Sequence, residues 1–360
     1  MTAPAERFVL GIETSCDETA ASVVAGVPGA TRVLSNIIAS QDDLHAEYRG
    51  VVPEIASRAH AERLLPIVRR ALADAGVRLD QLHAVGVGHR PGLIGCLLVG
   101  VAGAKALAWS LGIPFIGVDH VRAHMYAGCL DAPAPSFPAV GLVVSGGHTS
   151  IYRVDSWSRI ARLGGTIDDA VGEAFDKGAT VLGLPFPGGP NLDRLAETAG
   201  ANDRAVEFPV SRLAGDGREL SFSFSGLKTA LLYAAKGVPG PRGAPAVPLT
   251  DARRADLAAS FRRAAVDAVM GKLRLAIDAI PERGPGLRRT VLTGGGVTRN
   301  SLLRRRLQAW GEGARLDVRV PALEYCVDNA AMIAGLALEL LAERGWTSDP
   351  LSLSADPVAS

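Results

Sequence analysis

The sequence predicts an α/β protein of two lobes, and three observations carry that reading. The chain has 360 residues, which at about 150 residues per domain makes roughly two domains, or two lobes of one fold. Apolar residues make up 48% and charged residues 21%, enough for a sizeable core and too apolar for a disordered chain. The order strand, polar loop, strand, then α/β units occurs twice, with starts about 130 residues apart and no repeat of the letters themselves.

In the first half, residues 7–12 (RFVLGI) read as a buried strand, 20–27 as a second and 31–39 as a third. A helix follows over 53–75, with Pro53 in its first turn and Gly76 ending it. A strand at 84–88, a glycine-rich helix over 92–111 and a strand at 113–118 complete this half. The order restarts with strands at 139–144 and 149–155, and helices over 168–182 and 225–236. The segment 237–249 holds four Pro and three Gly and reads as an exposed loop. A long helix over 251–280, a strand at 289–293 and helices over 298–310 and 326–344 come next. The tail, 346–360, reads as frayed.

Lys and Arg number 38 against 37 Asp and Glu, a net charge of +1, so overall charge points to neither a nucleic acid nor a membrane. Cysteines stand at 16, 96, 129 and 326 with no C-x-x-C spacing, which excludes a zinc ribbon or thioredoxin-like motif and fits a reducing compartment. The N-terminal apolar run is short and acids follow it at once, unlike a signal peptide. The uncharged stretch 92–104 has 13 residues, short of the roughly 20 that span a bilayer. These features predict a soluble, cytoplasmic protein.

Five features could carry chemistry. The loops 14–19 and 145–149 are either ordinary hairpins or backbone nests for phosphate oxygens, and Asp17 and Glu18 would tolerate phosphate only with a cation between. Gly294-Gly295-Gly296 between strand and helix would let a flat ligand lie against the backbone, with Asn300 in reach. His120 and His124 share one helix face at i, i+4, as two imidazoles on one metal would, or as two partly buried histidines. Asp169, Glu173, Asp176 and Lys177 also share a face, which a solvated charged helix would explain equally well. Between 250 and 320 there are 15 Lys and Arg against 7 Asp and Glu, densest at Arg304-Arg305-Arg306. That suits either RNA phosphates or solvated helix faces.

Ten ordered motifs, among them GIETSCDETAASVV, DHVRAHMYA, LVVSGGHTSI, DDAVGEAFDKGA, LTGGGVTRN and DNAAMIAG, resemble the TsaD family, the tRNA adenosine threonylcarbamoyltransferases once labelled glycoprotein endopeptidases. The resemblance runs from about residue 8 to 345 and implies a two-lobed actin-like ATPase (ASKHA) fold, each lobe a mixed sheet flanked by helices. It implies an N-terminal lobe of 1–132, onto which a C-terminal helix at about 325–345 packs back, and a second lobe of 133–324. It also implies transfer of threonylcarbamoyl from threonylcarbamoyl-AMP to N6 of adenosine 37 in tRNAs reading ANN codons, with release of AMP. Position by position, His120, His124 and Asp328 match the family's metal ligands, for Fe(2+) or alternatively Zn. Val143, Val144, Ser145, Gly146 and Gly147 match its substrate loop, and Asp176, Gly189, Asp193 and Asn300 its other substrate contacts. Asp17 and Glu18 match the acidic hairpin, as candidates for the base or for holding a cation such as Mg. Implied partners are tRNA, a TsaB-like paralogue and a TsaE-like ATPase, and no membrane. Two positions depart from the family: Arg90 where Gly is usual, and Val327 where Thr precedes the metal-binding Asp.

Two other classes stay open. A small-molecule kinase of this fold would use the hairpins for ATP but has no need of the histidine pair. A metalloprotease of the H-E-x-x-H type needs Glu directly after the first His, where this chain has Val121.

Overall fold

Apolar runs rich in Val, Ile and Ala form the central strands, and the segments with helical spacing cover them. The structure, a computed structural model, describes residues 5–358 apart from 49, 211–212, 214, 216–217, 239–246 and 282–287. Most of the proline-rich loop expected at 237–249 therefore lies outside the described residues, as do 359–360 of the tail. In chain order the elements begin β1 (Arg7–Glu13), β2 (Glu18–Val27), β3 (Ala30–Ser40), α1 (Asp42–His45), α2 (Pro53–Ala75), β4 (Ala84–Arg90), α3 (Ile94–Leu111), β5 (Phe115–Asp119) and α4 (His120–Tyr126). They continue with β6 (Ala139–Val144), β7 (Thr149–Val154), β8 (Ile160–Gly165), α5 (Val171–Val181), α6 (Gly188–Ala196), α7 (Ser225–Lys236) and α8 (Asp251–Asp278). Last come β9 (Thr290–Gly294), α9 (Ser301–Gly313), β10 (Asp317–Arg319) and α10 (Ala330–Glu343).

The chain divides into two units, one of 1–135, 156–159 and 321–360, the other of 136–155 and 160–320. Each is built on one five-stranded sheet, ordered β3-β2-β1-β4-β5 in the first and β8-β7-β6-β9-β10 in the second. The pairing is the same in both: three antiparallel strands, then two parallel to the central one. The doubled pattern in the sequence is thus a doubled topology. The parallel strands need helical crossovers to return the chain, which α3 and the second unit's helices supply.

In the first unit α10 lies against β1, β2 and β4. Gly11 of β1 permits this closeness, since a Cβ there would stand within 2.9 Å of Ala334 Cβ. Apart from Lys105, α3 is uncharged, and by length and composition it could cross a membrane. Its Cys96, Leu97, Gly100, Val101, Ala104 and Ala108 are nevertheless buried, so it is a core-lining helix, as the reading of a helix over 92–111 expected.

The structure corrects the reading of the tail. Ser348 Oγ accepts from Phe115 N at 3.0 Å, Asp349 N donates to Phe115 O at 2.8 Å, and Asp349 Oδ2 accepts from Gly117 N at 2.9 Å. Asp356 N donates to His89 O at 2.9 Å. Lying at the sheet edge, β5 has one row of backbone groups without a neighbouring strand, and the tail satisfies them. The partners lie more than two hundred residues apart, so no local pattern announces the contact. Leu353 packs into the core beside Gly117. Replacing it with Ala should cost about 1–2 kcal/mol, half of what a fully buried leucine would cost; urea unfolding midpoints would show this, and an unchanged midpoint would mean the tail merely rests on the sheet.

Candidate active site

In the first unit the site begins where β5 runs into α4. Asp119 caps the helix, accepting from Arg122 N at 3.1 Å. This sets His120 in the first turn and His124 one turn on, with ring centroids 4.6 Å apart at 83°. Asp328 arrives just before α10, whose start is fixed by Asn329 accepting from Met332 N at 3.0 Å. Asp328 Oδ1 stands 3.5 Å from His120 Nε2 and 3.1 Å from His124 Nε2. The three side chains offer one ligand atom each, all within 4.8 Å of one another. Burial opposes charge on both His120 and Asp328. Even so, Asp328 and Glu13 hold His120 well above the usual histidine range, and the two histidines hold Asp328 well below the usual carboxylate range. The His124 Nδ1 is buried without a partner among the described residues. Two imidazoles and a carboxylate converging on one point form a donor set that a divalent transition metal fits.

Glu13, which the motif analysis passed over, ends β1 fully buried, with Oε2 3.0 Å from His120 Nδ1. A glutamate closing the apolar run at 8–12 was the available signal. His60 was also missed: buried in α2, it donates from Nε2 to Cys16 O at 3.0 Å and meets Thr19 Oγ1 at 2.8 Å through Nδ1. Burial lowers its pKa, so it acts as a neutral clamp on both ends of the acidic hairpin. On that hairpin, burial first, then Asp328 and Asp17, push the Glu18 carboxyl up to about 9. The arginine that departs from the family pattern, Arg90, stands 3.3 Å from Asp119, so the helix cap balances its charge. The other departure, Val327, offers its carbonyl to Asn329 Nδ2 at 2.8 Å.

In the second unit, Val143 and Val144 are fully buried at the end of β6, so only their backbones can meet a ligand. Ser145 N donates to His148 O at 2.7 Å and Ser145 Oγ accepts from His148 N at 3.1 Å, closing a tight loop with Gly146 and Gly147 exposed at its tip. The glycine turn lies alongside. Gly294 pairs with Val143, and a Cβ on Gly295, at φ 92°, would stand 2.4 Å from Val144 O. The structure also joins Asp176 with Gly189, whose N donates to Asp176 Oδ1 at 2.8 Å. Asp193 is joined with Asn300, whose Nδ2 donates to Asp193 Oδ1 at 3.0 Å. Asp193 also accepts from Arg262 and from Ser301 N, and Asn300 Oδ1 caps α9 at Leu303 N.

Two charged segments have paired side chains within the fold. Lys177 pairs with Asp169 at 2.7 Å and Glu173 at 2.8 Å. In the arginine run, Arg305 pairs with Glu197 at 2.9 Å, Arg306 with Asp267, and Arg304 donates to Thr298 O at 3.2 Å. The Arg305 guanidinium, against the opposing effect of burial, holds the Glu197 carboxyl down to about 2. A depressed carboxylate stabilises above its unfolded pKa, near 4.5, and loses that contribution as pH falls towards 2. Glu197 is 42% exposed, so solvent screening keeps the effect below about 1 kcal/mol. The stability gap between wild type and Glu197→Gln should therefore be small at pH 7 and close between pH 4.5 and 2; a gap independent of pH would exclude this pairing in solution.

The duplicated five-stranded sheets, each with a hairpin loop opening its central strands, define an actin-like ATPase fold. A solved structure of the same fold is the activator of the 2-hydroxyisocaproyl-CoA dehydratase from Clostridium difficile with bound ADPNP. It is 11% identical, with a TM-score of 0.50 over 96% of this chain and 100% of that one. Residues 32–335 match the family described as TsaD, tRNA N6-adenosine threonylcarbamoyltransferase. The Moorella thermoacetica tRNA N6-adenosine threonylcarbamoyltransferase is 47% identical over 98% of this chain and 96% of its own length, and that of Anaeromyxobacter dehalogenans 46% over 97% and 98%. The chain belongs to the TsaD family, and its activity is transfer of a threonylcarbamoyl group to N6 of adenosine in tRNA.

Proposed function

We propose that the donor is threonylcarbamoyl-AMP, that the acceptor is adenosine 37 of tRNAs reading ANN codons, and that His120, His124 and Asp328 hold one Fe(2+), with Zn as the alternative. The observation that carries the metal assignment is the convergence of three ligand atoms within 4.8 Å. A metal held by His120, His124 and Asp328 would supply Lewis acidity towards the donor's carbamoyl and threonyl groups. In the second unit, the loop of Val143 to Gly147 and the glycine turn take the adenylate, with the N–H groups of Gly146 and Gly147 at the exposed tip offered to phosphate oxygens. Asp176, Gly189, Asp193 and Asn300 shape the walls of that subsite. The mixed anhydride already carries a good leaving group, so the residues' work is orientation and exclusion of water. The adenosine amino group is a weak nucleophile and needs a base. Asp17 and Glu18 on the acidic hairpin are the candidates for that base.

A TsaB-like paralogue is the partner we assign to the outer face of α2 and α3. Ile94, Leu98 and Trp109 on α3 and Leu65 on α2 are exposed there, Trp109 by 75%, an apolar surface of the kind that marks an interface. Leu98→Arg should abolish co-elution with that paralogue, whereas undisturbed co-elution would move the interface elsewhere. A TsaE-like ATPase completes the cytoplasmic assembly. The test of the reaction is mass spectrometry of tRNA nucleosides after incubation with threonylcarbamoyl-AMP, Fe(2+) and these partners. Threonylcarbamoyladenosine at position 37 alone is expected; its appearance without threonylcarbamoyl-AMP would overturn the donor assignment.

A further inference from the structure

We propose that Glu13 is the positioning residue of the metal centre: its carboxylate accepts the Nδ1 proton of His120 and so fixes the tautomer whose Nε2 lone pair faces Asp328. The proposal rests on the metal reading of His120, His124 and Asp328. A carboxylate only accepts hydrogen bonds. With Oε2 at 3.0 Å, the proton of a neutral His120 therefore sits on Nδ1, and Nε2 is left free for a cation. Ser15 Oγ, at 3.3 Å from the same nitrogen, is a longer second neighbour. The carboxylate is itself held in place, since Oε1 accepts from Ser15 N at 2.6 Å.

The room for this carboxylate is made by a residue on the neighbouring strand. A Cβ on Gly88 of β4 would stand 2.5 Å from Glu13 Oε2 and 3.2 Å from its Cδ. Glu13 is fully buried, so its end could not swing into solvent to make way. The two histidines are therefore unequal. His120 is anchored from behind by a buried carboxylate, while the far nitrogen of His124 has no partner among the described residues. Ring-orienting carboxylates of this type raise the basicity of the ligating nitrogen, and their loss typically weakens metal binding by about 10–100-fold.

The test uses the full-length chain, stripped of metal, with Co(II) as the probe and a chromophoric chelator as competitor. Glu13→Gln keeps the size and removes the charge. We expect it to fold with a thermal midpoint near wild type and to bind Co(II) about 10–100-fold more weakly. In the metal-free protein, brought to a pH high enough for His120 to be neutral, the ¹⁵N shifts of His120 should change from a pure Nδ1–H tautomer to a mixture. A purely structural Glu13 would alter the thermal midpoint and leave both of those readouts where they were. Gly88→Ala retains Glu13 but crowds Oε2, and should weaken Co(II) binding in the same direction; it decides the matter if Glu13→Gln does not fold. Folded variants with wild-type affinity and an unchanged tautomer overturn the proposal. Wild-type protein that takes up no more Co(II) than a His120→Ala/His124→Ala variant overturns the metal reading instead, and the tautomer measurement still tests the Glu13 contact.

Discussion

The double substitution His120→Ala/His124→Ala should reduce metal content from one ion per chain to background and lower threonylcarbamoyl transfer by at least about 100-fold. Three donor atoms converge within 4.8 Å, and removing two leaves one carboxylate, too few to hold a transition metal against water. The fold should survive, because α4 keeps its cap at Asp119 and both substituted positions favour helix. Asp328 would change character. In wild type the histidines hold it well below the usual carboxylate range against burial; without them burial acts alone and its pKa rises. Elemental analysis and quantified modified adenosine would read the outcome. Wild-type metal content in the variant would place the ligands elsewhere.

Gly172→Val should abolish adenine-nucleotide binding while Co(II) binding in the first unit persists. Gly172 is in the first turn of α5 and donates from its N to Ser145 O at 3.3 Å. A Cβ there would stand 2.5 Å from that oxygen and 2.9 Å from Gly146 Cα. The obstacle is backbone on both sides, so no rotamer change relieves it, and the Ser145–Gly147 loop must move off the helix. The N–H groups of Gly146 and Gly147 at the exposed tip, which we propose face the phosphate, would move with it. Calorimetry with an adenine nucleotide would show a loss of about 100-fold or more, from several misaimed hydrogen bonds at about 1 kcal/mol each. Unchanged affinity would remove this loop from the nucleotide subsite. Gly146 itself is a milder position, since a Cβ there meets nothing within 4 Å.

The elements read from sequence and those observed diverge for definite physical reasons. Strands with strong apolar character, such as 139–144, and the long helix beginning at Asp251 were legible because their own side chains favour them. The edge strand β8 was not: its side chains are mostly half-buried or exposed, and only pairing with β7 makes it a strand. The helix α6 opens on Gly188-Gly189-Pro190, which reads as a turn; packing against α5 and α8 makes it helical. Several helix starts were read early, two of them with a visible capping residue. The expected start at 168 moves to Val171 because Asp168 is occupied in capping α7, accepting from Phe224 N at 2.9 Å. The expected start at 326 moves to Ala330, where Asn329 provides the cap.

By itself the sequence determined the two-lobed α/β class, the doubled strand order, the family and the residue types of the candidate metal site, because hydrophobic period, spacing and motif order are written locally. It could not decide which charges are spent inside the protein. Arg304, Arg305 and Arg306 form a basic run in the sequence and are paired side chains in the fold. Glu13 is one acid near a cluster of others until β4 and α4 bring Gly88 and His120 against it. The tail has no periodicity, and only the unsatisfied edge of β5 gives it a place. Apart from Arg304, whose partner Thr298 is in the preceding turn, the deciding partner lies tens to hundreds of residues away. A side chain's charge is fixed by its own chemistry, but whether that charge faces solvent, ligand or a buried partner is set by which distant backbone passes within hydrogen-bonding reach.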